Sequence, residues 1–192
     1  MTSGPPGGDV FEKIRDLERE LGLPEGFYRK LLKDDDWSFV IRLSSLVEAA
    51  CTHALTHRLH APELADALAF LSQSARIGML EDLDAVTKEQ ARILRRLATL
   101  RNGLVHKISN VEFTFTSYLA DLKGEELSAF LNILGHAVVD QVEVGEALVS
   151  RHDFVRSNPK LATWMTAAEV IACLYLERDI AELRIRTLRS MK

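Results

Sequence analysis

Residues 36–59, DWSFVIRLSSLVEAACTHALTHRL, are apolar around most of the circumference of a helix. A helix of this kind must be covered on nearly every side, because its apolar surface would otherwise face water. Most of the other long segments also repeat their apolar residues at helical spacing, so they are suited to cover it. The sequence therefore predicts an all-α fold, a helical bundle of roughly five main helices with this segment at its centre.

Capping residues mark where several of the surrounding helices begin and end. Asp9 and Gly22 are suited to the start and the stop of the first helix. Thr87, with Gln90 three residues later, forms a capping-box pattern that begins another. Apart from the central segment, the predicted helical segments are 9–22, 24–33, 62–74, 75–83, 87–108, 125–151 and 163–188.

One stretch follows the periodicity of a strand rather than that of a helix. In NVEFTFTSY, residues 110–118, the apolar residues Val111, Phe113 and Phe115 alternate with polar ones. Alternation of this kind puts the apolar side chains on one face of an extended chain. The sequence therefore predicts a short extended arm, or a small hairpin, directly after the helix at 87–108.

The charge balance argues against a protein that clamps nucleic acid over its whole surface. The chain has a formal net charge of −4 and a pI near 5.9, whereas non-specific nucleic-acid binding depends on clustered Lys and Arg. A local basic pocket stays open, because Arg92, Arg95 and Arg96 follow one another on one predicted helix. These arginines are suited either to gather a phosphate backbone or to form salt bridges with the acidic surface.

The segment patterns predict one domain and a cytoplasmic setting. Residues 1–8, MTSGPPGG, offer little apolar surface to bury and are expected to be disordered, whereas residues 9–192 are expected to form a single domain. No segment has the pattern of a signal peptide or is apolar for long enough to cross a membrane. Cys51 and Cys173 fall within apolar helical patterns, which disfavours a structural disulfide and favours a reducing compartment.

The segment LATLRNGLVHK, residues 97–107, places Arg101, Asn102 and His106 near the end of a predicted helix. Arginine and amide groups bind phosphate and histidine transfers protons near neutral pH, so together they are suited to cleaving a phosphodiester. Each residue of an α-helix turns by about 100°, which puts Arg101 and His106 about 140° apart around one straight helix. The two side chains reach one substrate atom only if the helix bends at Gly103 or its end, or if a second copy supplies the missing group across a two-fold axis.

The same residues also have a purely structural interpretation. Arg101, on the flank of the apolar stripe, is placed to pair with an acid such as Glu48 on the central helix, because buried charges are normally paired. His106 and Lys107, near the C-terminal end of a helix, interact favourably with the helix dipole. Both interpretations are open at this point.

The chain resembles the HEPN superfamily, whose signature is an arginine, a short spacer and a histidine near the end of a helix in an all-α protein. Arg101, Asn102 and His106 match this signature. The resemblance extends to the order of three segments, SSLVEAAC, LAFLSQSARIGML and LRRLATLRNGLVH, which is similar to that of bacterial HEPN-like proteins, including the mannitol operon repressor group. It covers roughly residues 36–150.

This resemblance implies a helical-bundle dimer that, in the active members of the superfamily, is a metal-independent endoribonuclease. His106 would act as acid or base on the ribose hydroxyl or the leaving oxygen, Arg101 would hold the scissile phosphate, and Asn102 would orient the site. Each protomer would contribute one set across the dimer axis, and no cofactor is implied. Other HEPN-like proteins are non-catalytic interaction or regulatory modules, such as transcriptional regulators or partner-binding proteins of toxin–antitoxin pairs. The implied partners are therefore a second copy, RNA or a regulatory protein.

A histidine stripe in the central segment offers a different site. His53, His57 and His60 lie at positions i, i+4 and i+7, on one narrow face of a helix. Neutral imidazoles one turn apart are able to chelate zinc, nickel or copper. No acidic residue of the HExxH type stands between them, so an exposed or interface stripe is the favoured interpretation and a metal site is the alternative.

Overall fold

A computed structural model describes residues 10–106 and 108–190 of the chain. Within these ranges the fold is mainly α, as predicted, but it contains ten α-helices and a two-stranded hairpin rather than about five main helices. The predicted disordered segment 1–8 and the predicted cap Asp9 lie outside these ranges. The helices are α1 (Val10–Glu20), α2 (Phe27–Lys30), α3 (Asp36–Arg58), α4 (Ala65–Phe70), α5 (Gln73–Asp82), α6 (Lys88–Val105), α7 (Phe115–Asp121), α8 (Gly124–Leu134), α9 (Arg151–Ser157) and α10 (Pro159–Ser190). The strands are β1 (Gln141–Val144) and β2 (Ala147–Ser150), and short 3-10 turns occupy Leu31–Lys33, Pro62–Leu64 and Ile108–Glu112.

Helix α3 lies at the centre of the fold, as its apolar circumference predicts. It begins where the Asp35 carboxylate accepts a hydrogen bond from the Ser38 amide at 2.9 Å, and it runs without interruption to Arg58. Helix α10 packs along it, and α4, α5 and α6 cover other sides. Buried apolar residues of α3 therefore face several neighbours: Phe39, Val40, Leu43, Leu46, Val47, Ala50, Cys51, Ala54 and Leu55.

The N-terminal helices are joined to α10 by a buried polar junction. The Glu18 carboxylate, which is buried, accepts hydrogen bonds from the amides of Gly26 at 3.1 Å and Tyr28 at 2.7 Å. The indole of Trp164 donates to the Tyr28 carbonyl at 2.9 Å, and the Tyr28 hydroxyl donates to the Trp164 carbonyl. These bonds satisfy polar groups that burial would otherwise leave unpaired, so α1 and α2 are attached to α10 through side chains as well as apolar contact.

The predicted extended arm at 110–118 is wrong. The segment forms a 3-10 turn followed by α7, and Thr114 is the N-cap, its hydroxyl accepting from the Ser117 amide at 3.1 Å. Phe115 is buried, and Phe113 packs half-buried against the core. The alternation in the sequence therefore comes from two inward-facing phenylalanines on either side of a capping threonine. The backbone is extended at Thr114 because an N-cap residue adopts extended angles.

The predicted long helix at 125–151 is also wrong. Helix α8 ends at Leu134, and β1 then pairs antiparallel with β2, Val142 opposite Val149. Gly145 begins the two-residue connection with φ of +63°, a conformation that glycine adopts without strain. Val142 and Val144 alternate with a glutamate, which is a strand pattern, and the segment forms a hairpin although its apolar spacing also fits a helix.

The last helix starts at Pro159, four residues before its predicted start, because proline is tolerated in the first turn.

Gly135, at the end of α8, is expected to tolerate no side chain. A Cβ atom there would overlap Cγ2 of Val155 on α9 and lie 2.5 Å from the carbonyl oxygen of Leu131. We expect Gly135→Ala to lower the free energy of unfolding by about 1–3 kcal/mol, the usual cost of overpacking a close contact. Urea denaturation measures the change, and Gly78→Ala in α5, where a Cβ would meet nothing within 4 Å, is the matched control. Equal stability of Gly135→Ala and wild type would contradict this contact.

No helix among the described residues combines the length and the apolar character needed to cross a membrane.

Candidate functional site

Helix α6 carries the Arg101 motif and is built as its sequence predicts. The Thr87 hydroxyl accepts from the Gln90 amide at 3.2 Å, and the Gln90 side chain accepts from the Thr87 amide at 2.9 Å, which completes the capping box. The predicted stripe is buried at Ile93, Leu97, Leu100 and Leu104, while the side chain of Ile108 is outside the described part of the structure. The helical pattern continues through Gly103 to Val105, so the backbone does not turn Arg101 towards His106.

Arg101 is half-buried and incompletely satisfied. Its Nη1 donates to the side-chain oxygen of Asn102 at 3.1 Å, and its buried Nε has no hydrogen-bond partner. Glu48 pairs with Arg76 of α5 instead, at 3.5 Å, and no acidic side chain within the described ranges pairs with Arg101. Arg101 therefore does not form the pair with Glu48 that the structural interpretation offered. A buried guanidinium N–H without an acceptor is costly, so Arg101 is held in place by its packing and by Asn102 rather than by a full set of hydrogen bonds.

Arg101 and Asn102 line a cleft of about 550 Å³ between α3, α5 and α6. Glu48 comes from α3, Ser72 and Gln73 from the start of α5, and Arg95 and Thr99 from α6. The charged residues of the lining are Arg76, Arg95, Arg101 and Glu48. Arg76 pairs with Glu48, and Arg95 pairs with Glu81, which is outside the lining. Among the described residues of the lining, Arg101 therefore supplies the one positive charge that no acid compensates.

The N-terminal end of α5 adds to this cationic character. Ser72 caps the helix, its hydroxyl accepting from the Ala75 amide at 3.2 Å, and Ser72, Gln73 and Ser74 all line the cleft. Backbone N–H groups at a helix N-terminus carry partial positive charge and favour anions. The cleft therefore combines an unsatisfied arginine, an amide side chain and a helix N-terminus, the groups that bind a phosphate or a carboxylate.

Arg76 organises the cleft from behind and was not identified from the sequence. It is buried, and it donates to the Gln73 side chain at 3.0 Å and to the Ala69 carbonyl at 3.1 Å, besides pairing with Glu48. It thereby connects α3, the end of α4 and the start of α5. A signal was present, because Arg76 lies one helical turn before buried Leu80 and so shares its inward face.

His106 does not line the cleft. It is exposed at the C-terminal end of α6, while the Asn110 side chain donates to the Gly103 carbonyl at 2.6 Å and caps that end. Lys107 lies outside the described residues. Helical geometry puts the side chains of Arg101 and His106 about 140° apart around α6, so a single chain brings Arg101 and Asn102 together and leaves His106 apart from them.

The three-histidine stripe does not form. The rings of His53 and His57 are 4.5 Å apart, and Nε2 of His53 lies 3.0 Å from a carboxylate oxygen of Glu20. Helix α3 ends at Arg58, and His60 has a φ of +54°, so the third histidine leaves the helical face before the i+7 position. In the described ranges, no three His, Cys, Asp or Glu side chains group in a way that could hold a metal ion.

Cys51, behind the cleft, is not a candidate nucleophile. Its thiol is fully buried and free, and it accepts a hydrogen bond from the Gln73 side chain at 3.4 Å. Burial raises the pKa of the Cys51 thiol to about 12, which keeps it protonated at neutral pH.

Gly103 is expected to accept a side chain. It lies within α6, its φ is not positive, and a Cβ atom there would meet nothing within 4 Å. We expect Gly103→Ala to raise the free energy of unfolding by about 0.5–1 kcal/mol, because alanine loses less backbone entropy in a helix than glycine. Thermal unfolding measures the gain. Gly22→Ala, at a φ of +65°, should instead be destabilising, and a loss of stability in Gly103→Ala would contradict the regular helix.

The HEPN resemblance depends on the order of α3, α5 and α6 and on the Arg101 motif. The structure places those segments in helices that pack on one another. Comparison with protein-family models, curated proteins and solved structures finds no match to this chain, so the resemblance stays a prediction.

Proposed function

We propose that this chain is a cytoplasmic, homodimeric, HEPN-like endoribonuclease that cleaves RNA without a metal ion. The observation that carries the proposal is Arg101 itself, an arginine without an acidic partner within the described ranges that lines an open cleft beside Asn102. RNA carries an anionic phosphate in every nucleotide, and a guanidinium binds a phosphate through charge-assisted hydrogen bonds.

In the proposed reaction, Arg101 holds the scissile phosphate and stabilises the additional negative charge that develops on it. His106 takes the proton from the neighbouring ribose hydroxyl, whose oxygen attacks phosphorus. The bond from phosphorus to the leaving oxygen breaks, that oxygen takes a proton from solvent water, and a cyclic phosphate remains on the upstream product. Asn102 orients Arg101 through the hydrogen bond between their side chains.

A second copy of the chain completes the proposed site. Arg101 and His106 diverge around α6, so one protomer alone does not direct both groups to one phosphate. In a two-fold dimer each patch meets its own copy, and the His106 of one protomer then faces the Arg101 cleft of the other. The proposal therefore includes self-association as a requirement for cleavage.

The test uses an end-labelled RNA oligonucleotide, the purified wild-type protein and an excess of EDTA. We expect cleavage of the RNA, products that carry a cyclic phosphate, and no cleavage of DNA of the same sequence, since DNA lacks the attacking hydroxyl. Light scattering on the same preparation should give the mass of a dimer. Intact RNA, or cleavage that EDTA abolishes, would refute the proposal.

The exposed position of His106 outside the cleft favours one other function, a non-catalytic regulatory or interaction module. In that case the cleft binds an anionic partner, such as RNA or an acidic segment of a regulatory protein, and no bond is cut. Binding of RNA by the wild type without any cleavage product, under the conditions above, is the outcome that selects this second function.

A further inference from the structure

The C-terminal part of α10 carries an apolar stripe that the rest of the described chain leaves exposed. Leu176, Ile180 and Leu183 are large apolar side chains, and 42%, 39% and 60% of their surfaces face solvent. They recur at intervals of four and three residues, so they lie on one face of the helix with the spacing of a coiled-coil seam. These three residues are called the α10 stripe below.

This part of α10 receives little support from the core. The helix has 32 residues, but none of its described residues after Tyr175 is buried. Residues 176–190 extend for about 22 Å. A helix of this length is marginally stable by itself, because most helical stability in proteins comes from the packing of an apolar face. A second helix on the α10 stripe would supply that packing.

A groove beside the stripe enlarges the surface that a second helix would contact. The groove has a volume of about 430 Å³ and lies between α10 and the start of α6. Leu176 and Ile180 line it from α10, and Ala85, Val86 and Thr87 line it from the other side. An apolar stripe next to a groove is the kind of surface that an amphipathic helix covers.

The charges along α10 favour a second copy of the same helix as the occupant. Residues 177–182 include three acids and one arginine, whereas residues 183–189 include three arginines and no acid. Two such helices in antiparallel contact place the acidic half of each beside the arginine half of the other, whereas a parallel pair would place like charges together. Glu177 and Asp179 flank the stripe on its two sides and also pair with cations of α3 and α1.

We propose that the α10 stripe is a self-association surface, on which the stripe of a second copy of this chain packs in antiparallel orientation. A two-fold axis between residues 181 and 182 would bring Ile180 of each copy opposite the partner's Leu183. The same patch then meets itself, and the acidic and arginine halves of the two helices face each other.

This interface goes beyond the proposed function, because it lies away from the Arg101 cleft. Thr87, where α6 starts, lines the groove, whereas His106 stands at the other end of that 18-residue helix, about 27 Å away. The α10 stripe therefore joins two of the proposed dimers into a tetramer, or two monomers if the cleft is not shared. Three apolar residues a side make a small interface, so association should set in above the protein concentration of the cleavage assay.

The first test is sedimentation velocity over a series of protein concentrations. We expect the mass of wild type to double as the concentration rises, and we expect Leu183→Asp to weaken this association at least about tenfold, because a carboxylate would be buried against an apolar surface. Leu148→Asp is the matched control, since Leu148 lies in β2 and is 65% exposed, close to the 60% of Leu183. Circular dichroism should show an unchanged fold in both variants.

The second test fixes the orientation by disulfide formation, in protein that also carries Cys173→Ser. A Leu176→Cys chain mixed with a Thr187→Cys chain should form a disulfide between the two variants, because the antiparallel axis brings these positions together. Neither variant should form a disulfide with itself, since residue 176 and the same residue of the partner would be about 16 Å apart along the helices. Cys51 is fully buried and stays in place.

Two results would overturn the proposal. Equal self-association of Leu183→Asp and wild type, or a wild-type mass that does not change with concentration and no disulfide in the mixture, would exclude a second copy as the occupant of the stripe. Disulfides that form within each single variant would show a parallel pair and would refute the charge argument. RNA cleavage plays no part in either test, so the outcome does not depend on the endoribonuclease.

Discussion

Replacing His106 with alanine is expected to slow RNA cleavage about 100- to 10,000-fold, the contribution that a positioned general acid or base makes. The side chain is exposed at the end of α6, so the substitution should leave the stability and the dimer mass unchanged. Single-turnover cleavage of end-labelled RNA in EDTA measures the effect. His152→Ala is the control, because His152 is also exposed, but lies in α9 and outside the cleft lining. Equal rates for His106→Ala and wild type would remove His106 from the reaction.

A mixture of Arg101→Ala and His106→Ala protomers tests whether the site spans two chains. Each variant alone should be inactive, because every site lacks one group. A heterodimer of the two keeps one site in which the intact Arg101 meets the intact His106, so an equal mixture of exchanging protomers should recover about a quarter of the wild-type rate. An inactive mixture, in which exchange has been shown by light scattering of differently tagged chains, would contradict a site shared across the dimer axis.

Replacing Arg76 with alanine is expected to lower the free energy of unfolding by about 2–4 kcal/mol. The substitution would leave the Glu48 carboxylate without its cation, and it would remove the Arg76 hydrogen bond to the Ala69 carbonyl and one of two to the Leu68 carbonyl. Unpaired polar groups at buried positions retain their desolvation cost, which is why breaking one partner of a network is costly.

Urea denaturation followed by circular dichroism measures the Arg76 effect. Arg92→Ala is the matched control, since Arg92 is exposed on α6 and should change the stability by less than about 0.5 kcal/mol. Arg76→Met separates the lost charge from the lost packing, because it keeps an unbranched side chain of similar reach. If Arg76→Ala is as stable as wild type, the network around Arg76 contributes nothing to folding, and the cleft must be held by apolar packing alone.

The helices with the strongest local signals were predicted well. The central segment 36–59 corresponds to α3, Asp36–Arg58, and the capping box at Thr87 begins α6 with its predicted inward stripe. These features depend on residues within one or two turns of each other, so neighbouring residues in the chain are enough to determine them.

The segments that were predicted wrongly contain patterns compatible with two structures. Apolar residues at 138, 142 and 149 also fit a helix, but Gly145 at a positive φ and the pairing of Val142 with Val149 produce a hairpin. At 110–118, Phe113 and Phe115 alternate with polar residues as in a strand, yet Thr114, which stands between them, is the N-cap of α7. In both cases the choice between helix and strand depends on what the segment packs against, and the periodicity of the sequence carries no information about that.

For the candidate site, the sequence predicts Arg101, Asn102 and His106, and its helical spacing indicates that His106 diverges from Arg101 around one helix. It did not identify the partner of Glu48, which is Arg76 rather than Arg101.

The sequence by itself determined the mainly helical class, the start of α6 and the flank of that helix on which Arg101 and Asn102 lie, because helical periodicity and capping act over a few residues. Only the tertiary structure decided that a cleft opens between α3, α5 and α6, and that Glu48 neutralises Arg76 and leaves Arg101 without an acid. Those outcomes depend on which side chains meet when distant segments pack, and on which buried polar groups then find partners.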